Sequence, residues 1–266
     1  MTKTLLWKFW RKDPNDCQYI LGTIHTSTQE AMEFRDLAEA CIDRVALYAG
    51  EMDLNAVDEN TLLHFLRLPG EQKLSDLFSV RKYTRYKRLI SKACHLDLDD
   101  LARFSPFYIT NLLAEQSLPR TAGMPLDHAL WTYATLAGKD MTGLESFQDQ
   151  CSIMQQIPLD YQIKTFKDSM RRFNTFRKKT GLLNTLYAAG ELDLLYKYSK
   201  KSMGSMRKLM IYERNQKMIH RISELISSQS CFIAVGAAHL GGDKGIIAGL
   251  KRKGYDFRMI RQLSDI

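Results

Sequence analysis

Twice in this chain, once near each end, a short apolar run leads into a Gly-x-x-His segment, then a helical stretch, then another strand. Residues 4–10 and 17–23 read as two strands around the turn Lys12-Asp13-Pro14-Asn15-Asp16, and Gly22 to His25 follows. Ala31, Phe34, Ala38 and Ile42 then recur at helical spacing, and a strand from Arg44 to about Ala49 delivers Gly50-Glu51-Met52-Asp53. At the other end Cys231 to Val235 reads as a buried strand followed by Gly236 to His239. A helix over 243–253, stopped by Gly254, and a strand from Tyr255 to Ile260 complete the repeat. Strand, loop, helix and strand in that order make a βαβ unit, which implies parallel strands. In open α/β sheets ligands bind beyond the carboxyl ends of the strands. The two Gly-x-x-His segments are therefore expected to share one site at the carboxyl edge of a parallel sheet. With 15 Gly and 6 His in the chain, two such segments arise by chance roughly one time in twenty.

The stretch between the two units reads as helical, over 55–66, 81–93, 105–116, 125–137, 146–156, 159–178 and about 204–228. One strand, Lys139 to Leu144, interrupts it and ends at Glu145. No Pro-, Gly- or Ser-rich linker divides the 266 residues. The expected fold class is α/β, with a central, mostly parallel sheet built from both chain ends and a largely helical insertion or cap. A single domain over 1–266 is expected, its sheet core from about 1–54, 138–146 and 230–266 and its helical portion from about 55–137 and 147–229.

Composition narrows the class further. Hydrophobic content is 45% and charged content 26%, ordinary for a globular protein. No run approaches the roughly 18 apolar residues of a membrane span. Charges break residues 1–12 before a signal-peptide core can form, so a cytoplasmic protein is expected. Cys17, Cys41, Cys94, Cys151 and Cys231 lack any C-x-x-C spacing. Reduced core thiols are expected, and a cysteine zinc site is not. The net charge of +8 is concentrated in residues 161–210, which hold 12 Lys/Arg against 3 Asp/Glu. Arg171, Arg172, Arg177, Lys178 and Lys179, interleaved with Phe173 and Phe176, read as the solvated face of an amphipathic helix. An acidic partner is the alternative. No nucleic-acid-binding motif accompanies the stretch, and no nucleic-acid partner is expected.

The chemistry is expected at the strand ends. His25, Glu51, Glu145 and His239 each lie within a few residues of one, and Gly22 and Gly236 allow sharp turning or close approach ahead of each histidine. Two imidazoles and two carboxylates suit a divalent ion such as Mn²⁺, Co²⁺, Fe²⁺ or Zn²⁺. Such an ion activates water and polarises a carbonyl, and a carboxylate left off it can act as general base. Glu145 also fits the first turn of the next helix, where the macrodipole favours a carboxylate. His64, His95 and His220 read as surface or capping residues, and Met203, Met206 and Met210 as core or a flexible cap surface. His128, Tyr108 and Tyr133 are minor candidates for lining the pocket.

Leu21-Gly-Thr-Ile-His25, Gly50-Glu51-Met-Asp53, Gly143-Leu-Glu145, Glu213-Arg214-Asn215 and Val235-Gly-Ala-Ala-His-Leu240 together resemble the TraB/GumN family, which is related to the Tiki metalloproteases and the PrgY-type proteins. Leu5-Leu6-Trp7-Lys8 and Pro125-Leu-Asp127-His128-Ala-Leu130 extend the resemblance over nearly the whole chain. It implies an EreA/ChaN-like α/β fold and peptidase activity needing Mn²⁺ or Co²⁺. It also implies His25, Glu51, Glu145 and His239 as site residues and Arg214 as a supporting one. A guanidinium there either clamps a substrate carboxylate or oxyanion, or orients Glu51 or Glu145. Asn215 is expected beside it, one contact further out.

The functional expectation is a metal-dependent, peptidase-like hydrolase acting on a peptide or small-molecule substrate. Two alternatives stand beside it. One is a non-catalytic regulatory protein binding a ligand, peptide or haem in the same cleft. The other is an esterase-like hydrolase working through a histidine base without metal.

Overall fold

A computed structural model of the chain describes residues 3–119 and 123–266. Six strands are present among them: β1 (Leu6–Trp10), β2 (Gln18–Thr23), β3 (Leu47–Met52), β4 (Asp140–Glu145), β5 (Cys231–Gly236) and β6 (Asp256–Met259). The first six helices are α1 (Arg35–Ile42), α2 (Glu59–Leu66), α3 (Val80–Cys94), α4 (Pro106–Glu115), α5 (Leu126–Leu136) and α6 (Phe147–Gln155). They are followed by α7 (Leu159–Arg171), α8 (Phe173–Ala188), α9 (Leu192–Met203), α10 (Arg214–Leu225) and α11 (Ile246–Arg252). The chain forms two compact units, one of residues 1–56, 120–149 and 183–266, the other of 57–119 and 150–182.

The first unit holds the sheet, in the order β4-β3-β5-β2-β1-β6. β4, β3, β5 and β2 run parallel, while β1 is antiparallel to both β2 and β6. The expected α/β class and mostly parallel sheet are what the chain adopts. Central parallel strands are covered on both faces and so read as continuous apolar runs rather than alternating ones. All six residues of β2 are buried, as are five of the six in β5. Tyr48 of β3 stacks on Phe232 of β5 at 5.7 Å and meets Trp131 of α5 edge-on at 5.8 Å. Each such fully buried side chain contributes about 1.5–3 kcal/mol.

Neither βαβ unit pairs its own two strands, and β6 lies at the sheet edge beside β1, away from β5. β2 and β3, the strands of the first βαβ unit, are parallel but do not pair. β5, from the far end of the chain, lies between them, with Leu21 opposite Ala234 on one side and Gly50 opposite Ala234 on the other. The chain ends are therefore joined at the middle of the sheet.

Helix boundaries differ where backbone geometry intervenes. The helix expected over 159–178 breaks at Arg172, whose φ of −125° and ψ of 47° leave the helical region. α9 was not expected. It follows Gly190, whose φ of +66° suits a residue without Cβ. The long helix expected over about 204–228 is three segments, a 3₁₀ turn at Gly204–Met206, a π-helical stretch at Lys208–Glu213, and α10.

The second unit is helical, with a core that includes Leu74, Tyr86, Ile90, Ile109, Leu113, Phe166, Met170 and Phe173. Tyr86 meets Phe166 edge-on at 5.6 Å and Phe78 edge-on at 5.4 Å. Phe173 is buried, and its ring lies 5.9 Å from that of the half-buried Phe176. The adjoining Arg171, Arg172, Arg177, Lys178 and Lys179 are exposed. Among the described residues no helix is long and apolar enough to cross a membrane.

Candidate functional site

Because β2, β5, β3 and β4 are parallel neighbours, their carboxyl ends share one edge of the sheet. β3 ends with Glu51 and Met52, and β4 ends with Glu145. β2 ends at Thr23, two residues before His25, and β5 ends at Gly236, three before His239. The glycine of the second motif has a specific use here. Its N–H donates to Glu51 Oε2 at 2.8 Å, and a Cβ at this position would lie 3.2 Å from that same oxygen. The glycine of the first motif lets the β5 connection pass, since a Cβ on Gly22 would lie 2.9 Å from Leu240 Cδ1 and 3.0 Å from Ala237 Cα.

Arg214 binds both carboxylates at once. Its Nη2 donates to Glu51 Oε1 at 2.5 Å and to Glu145 Oε2 at 2.5 Å, while its Nε donates to Glu145 at 2.9 and 3.1 Å. The Arg214, Glu51 and Glu145 side chains are 14%, 15% and 1% exposed. Arg214 follows directly on the π-helical stretch, and such wide turns recur at functional sites, where they re-aim side chains. In these contacts the guanidinium pairs with both carboxylates rather than facing open space.

Asn215, next in sequence, orients His239. Its Nδ2 donates to the carbonyls of Lys244 at 2.7 Å and His239 at 3.1 Å, so its Oδ1 faces His239 Nδ1 at 2.6 Å as an acceptor. The ring nitrogen must donate, which fixes the Nδ1–H tautomer and leaves a lone pair on Nε2. That Nε2 lies 3.9 Å from Glu51 Oε1. His25 is held in the same sense, its Nδ1 2.7 Å from Asp127 Oδ2. The loop around it is tied down by Tyr187, whose buried hydroxyl donates to Gly22 O at 2.9 Å, and by Asn184, which accepts from Thr26 and Thr28.

Electrostatics differentiate the two histidines. Burial holds the His239 pKa down to about 4, so the ring is neutral at pH 7. Around His25 the surrounding protein also works against the charged form, but the hydrogen bond and charge of Asp127 outweigh it. The pKa is pushed up to about 9. Burial resists ionisation of Glu51, yet the nearby cations and the Gly236 N–H hold its pKa well below the usual carboxylate range. Beside His239, which is neutral at pH 7, Arg214 and His25 favour the ionised form of Glu51. Two carboxylates thus face one guanidinium, while Asp127 faces His25.

The expected residues are brought to one strand edge, but not as a single ligand set. Among the described residues no group of three or more His, Cys, Asp or Glu side chains is arranged to hold a metal ion. Glu145 is engaged by Arg214, while Glu51 and His239 converge. Sequence reasoning missed the roles of Asp127, Tyr187 and Asn184. Asp127 lies in the Pro125 to Leu130 stretch that carries the family resemblance, next to His128. His128 is exposed. Tyr133 donates to Asp43 at the amino end of β3, and Tyr108 packs on Phe104 in the helical unit. His95 ends α3 in the left-handed conformation and His220 pairs with Glu224, as befits capping and surface residues.

The model of the TraB/PrgY/gumN family matches residues 5–259 of the chain. Curated relatives include Metalloprotease TIKI1 of Danio rerio, 23% identical over 95% of this chain and 62% of that protein. Metalloprotease TIKI2 of Danio rerio is 22% identical over 95% of this chain and 60% of its own length. Metalloprotease TIKI2 of Xenopus tropicalis is 23% identical, over 95% and 59%. The chain thus spans about three fifths of the length of these relatives. No solved structure matches it.

Proposed function

The chain belongs to the TraB/PrgY/gumN family, and we propose that it is a metal-dependent hydrolase cleaving a peptide bond or another carbonyl-centred bond. One observation carries this reading. Glu51 Oε1 and the Nε2 lone pair of His239 face each other at 3.9 Å beyond adjacent parallel strands, each held from behind by a fixed partner. Two electron-pair donors so placed favour a cation between them.

The donor chemistry fits a divalent ion best at two of the four expected residues. Glu51 and His239 would hold it, an N and O pair suited to Mn²⁺ or Co²⁺, with Zn²⁺ or Fe²⁺ as further candidates, and His25 would add a third donor only on giving up its proton. Glu145 is the less available carboxylate, 1% exposed and with Arg214 on both its oxygens. When bound, the ion supplies Lewis acidity toward a carbonyl oxygen and toward water. Arg214 holds Glu51 in place, Asn215 keeps the His239 lone pair forward, and Asp127 holds the His25 ring by Nδ1 on a side chain that is 63% exposed. Peptides lead the substrate class because the relatives are named metalloproteases.

The His25–Asp127 pair also favours a second reading, a hydrolase using His25 as base without metal. Magnitude decides against it. A histidine pushed up to about 9 is almost fully protonated at pH 7 and has no lone pair to accept a proton.

The test is to strip the protein with chelator, add back Mn²⁺ or Co²⁺, and measure bound metal and peptide cleavage together. His239→Ala protein with a native circular dichroism spectrum is the control. Retained metal and metal-dependent cleavage, both lost in His239→Ala, are expected. A folded parent protein that retains no metal would overturn the reading, and chelator-resistant cleavage would favour the second one.

A further inference from the structure

Wholly within the helical unit lies a pocket of about 580 Å³, within the usual range for a small-molecule site. It is bounded by the end of α2 and the loop after it, by the start of α4, and by the turn between α6 and α7. Its walls are mostly apolar, with Phe65, Phe107, Met154 and Ile157 among them. The ionisable part of the lining is one-sided, with two arginines and a histidine (Arg67, Arg103 and His64) but no carboxylate, beside the neutral Ser105, Gln155 and Gln162.

The two arginines are in different states. Arg103 is already committed, with Nη1 on Glu71 and Nη2 donating to Gly70 O at 2.8 Å and to Glu71 at 3.1 Å. Arg67 has no carboxylate partner among the described residues, and its guanidinium lies 6.0 Å from the Phe104 ring centroid. An exposed arginine fork over an apolar pocket matches an anionic head on an apolar body. The start of α7 adds to the sign. Leu159 opens α7 on the pocket wall, and the residue before it, Pro158, offers no side-chain cap. The first-turn N–H groups there add positive potential, offset in part by Asp160 in the same turn. A cationic ligand would meet the same sign of charge, and a fully polar anion would forgo the apolar walls.

We propose that this pocket binds a small carboxylate carrying an apolar tail, with Arg67 as the residue that selects the anionic head. The inference stands apart from the hydrolase reading, since none of His25, Glu51, Glu145, Arg214 or His239 lines the pocket.

Titration of the full chain with sodium decanoate, followed by calorimetry, tests it, with 1-decanol and decylamine as neutral and cationic probes of equal tail length. Saturable one-site binding of decanoate is expected. Binding about tenfold or more weaker is expected for decanol and for decanoate on Arg67→Met, the loss of one charge-assisted contact. Met154→Trp, which fills the pocket from its apolar wall, should abolish binding. Absence of saturable decanoate binding would overturn the proposal. So would equal affinity for decanol or decylamine, or undiminished decanoate binding by both folded variants.

Discussion

Arg214 grips Glu145 through two nitrogens, Nε at 2.9 and 3.1 Å and Nη2 at 2.5 Å, around a carboxylate that is 1% exposed. A pair this enclosed is worth less than its Coulomb energy implies, because both partners have lost water. Breaking it from one side is another matter. Arg214→Met leaves Glu145 buried without a counter-charge and should destabilise the fold by about 3–5 kcal/mol. Urea unfolding measures it, and adding Glu145→Gln to Arg214→Met should recover part of the loss. If the single variant is as stable as the parent, the pair does not hold the strand ends together.

The two glutamates should separate in a metal-binding measurement. Glu51 faces His239, whereas Glu145 faces only Arg214 in the contacts seen here. Glu51→Gln is therefore expected to lose Mn²⁺ or Co²⁺ on calorimetric titration, and Glu145→Gln to keep it with some loss of stability. The opposite order would move the metal ligand from β3 to β4.

Asn215 supplies a third test. Its carboxamide fixes the tautomer of His239 from behind, so Asn215→Ala should weaken metal affinity by about 10–100-fold while the imidazole stays in place. Calorimetry on a variant of confirmed helicity reads this. Unchanged affinity would mean that the ring is held by its packing alone.

The motif glycines should fail differently. Gly22→Ala drives a Cβ to 3.0 Å from the backbone at Ala237 and should cost about 1–3 kcal/mol as overpacking. At Gly236 the new methyl meets Glu51 Oε2 at 3.2 Å instead, so Gly236→Ala should weaken metal binding more than it lowers the unfolding midpoint. Comparing melting temperature with metal affinity for the pair distinguishes the two.

Alkaline stability should depend on Cys41. Its thiol is fully buried, and burial pushes its pKa up from about 9 to about 12. Below pH 9 the thiol is protonated in folded and unfolded chains alike. Between 9 and 12 only the unfolded chain sheds the proton, so unfolding is favoured and stability falls with rising pH across that window. Cys41→Ala should show a shallower decline between pH 9 and 10.5 in urea unfolding. An unchanged slope would mean the decline comes from other groups, such as the buried tyrosines.

The sequence by itself determined the strand-ending residues and their type. Apolar runs such as Cys231 to Val235, short and bounded by turn signals, fit a strand covered on both faces, and period and turn chemistry are local properties. Local patterning therefore placed His25, Glu51, Glu145 and His239 at strand ends. The tertiary structure decided which strands are neighbours and which side chains meet. Nothing local says that β5 inserts between β2 and β3, because pairing between residues some 200 positions apart is selected by the packing of the whole sheet. The same holds for the hydrogen bonds across the site. Asp127 on His25, Arg214 on both glutamates and Asn215 on His239 each join distant segments within about 3 Å, a distance that local periodicity does not encode. The π-helical turn before Arg214 belongs to the same class. A single wide turn is invisible in the pattern, yet it sets where Arg214 and Asn215 point.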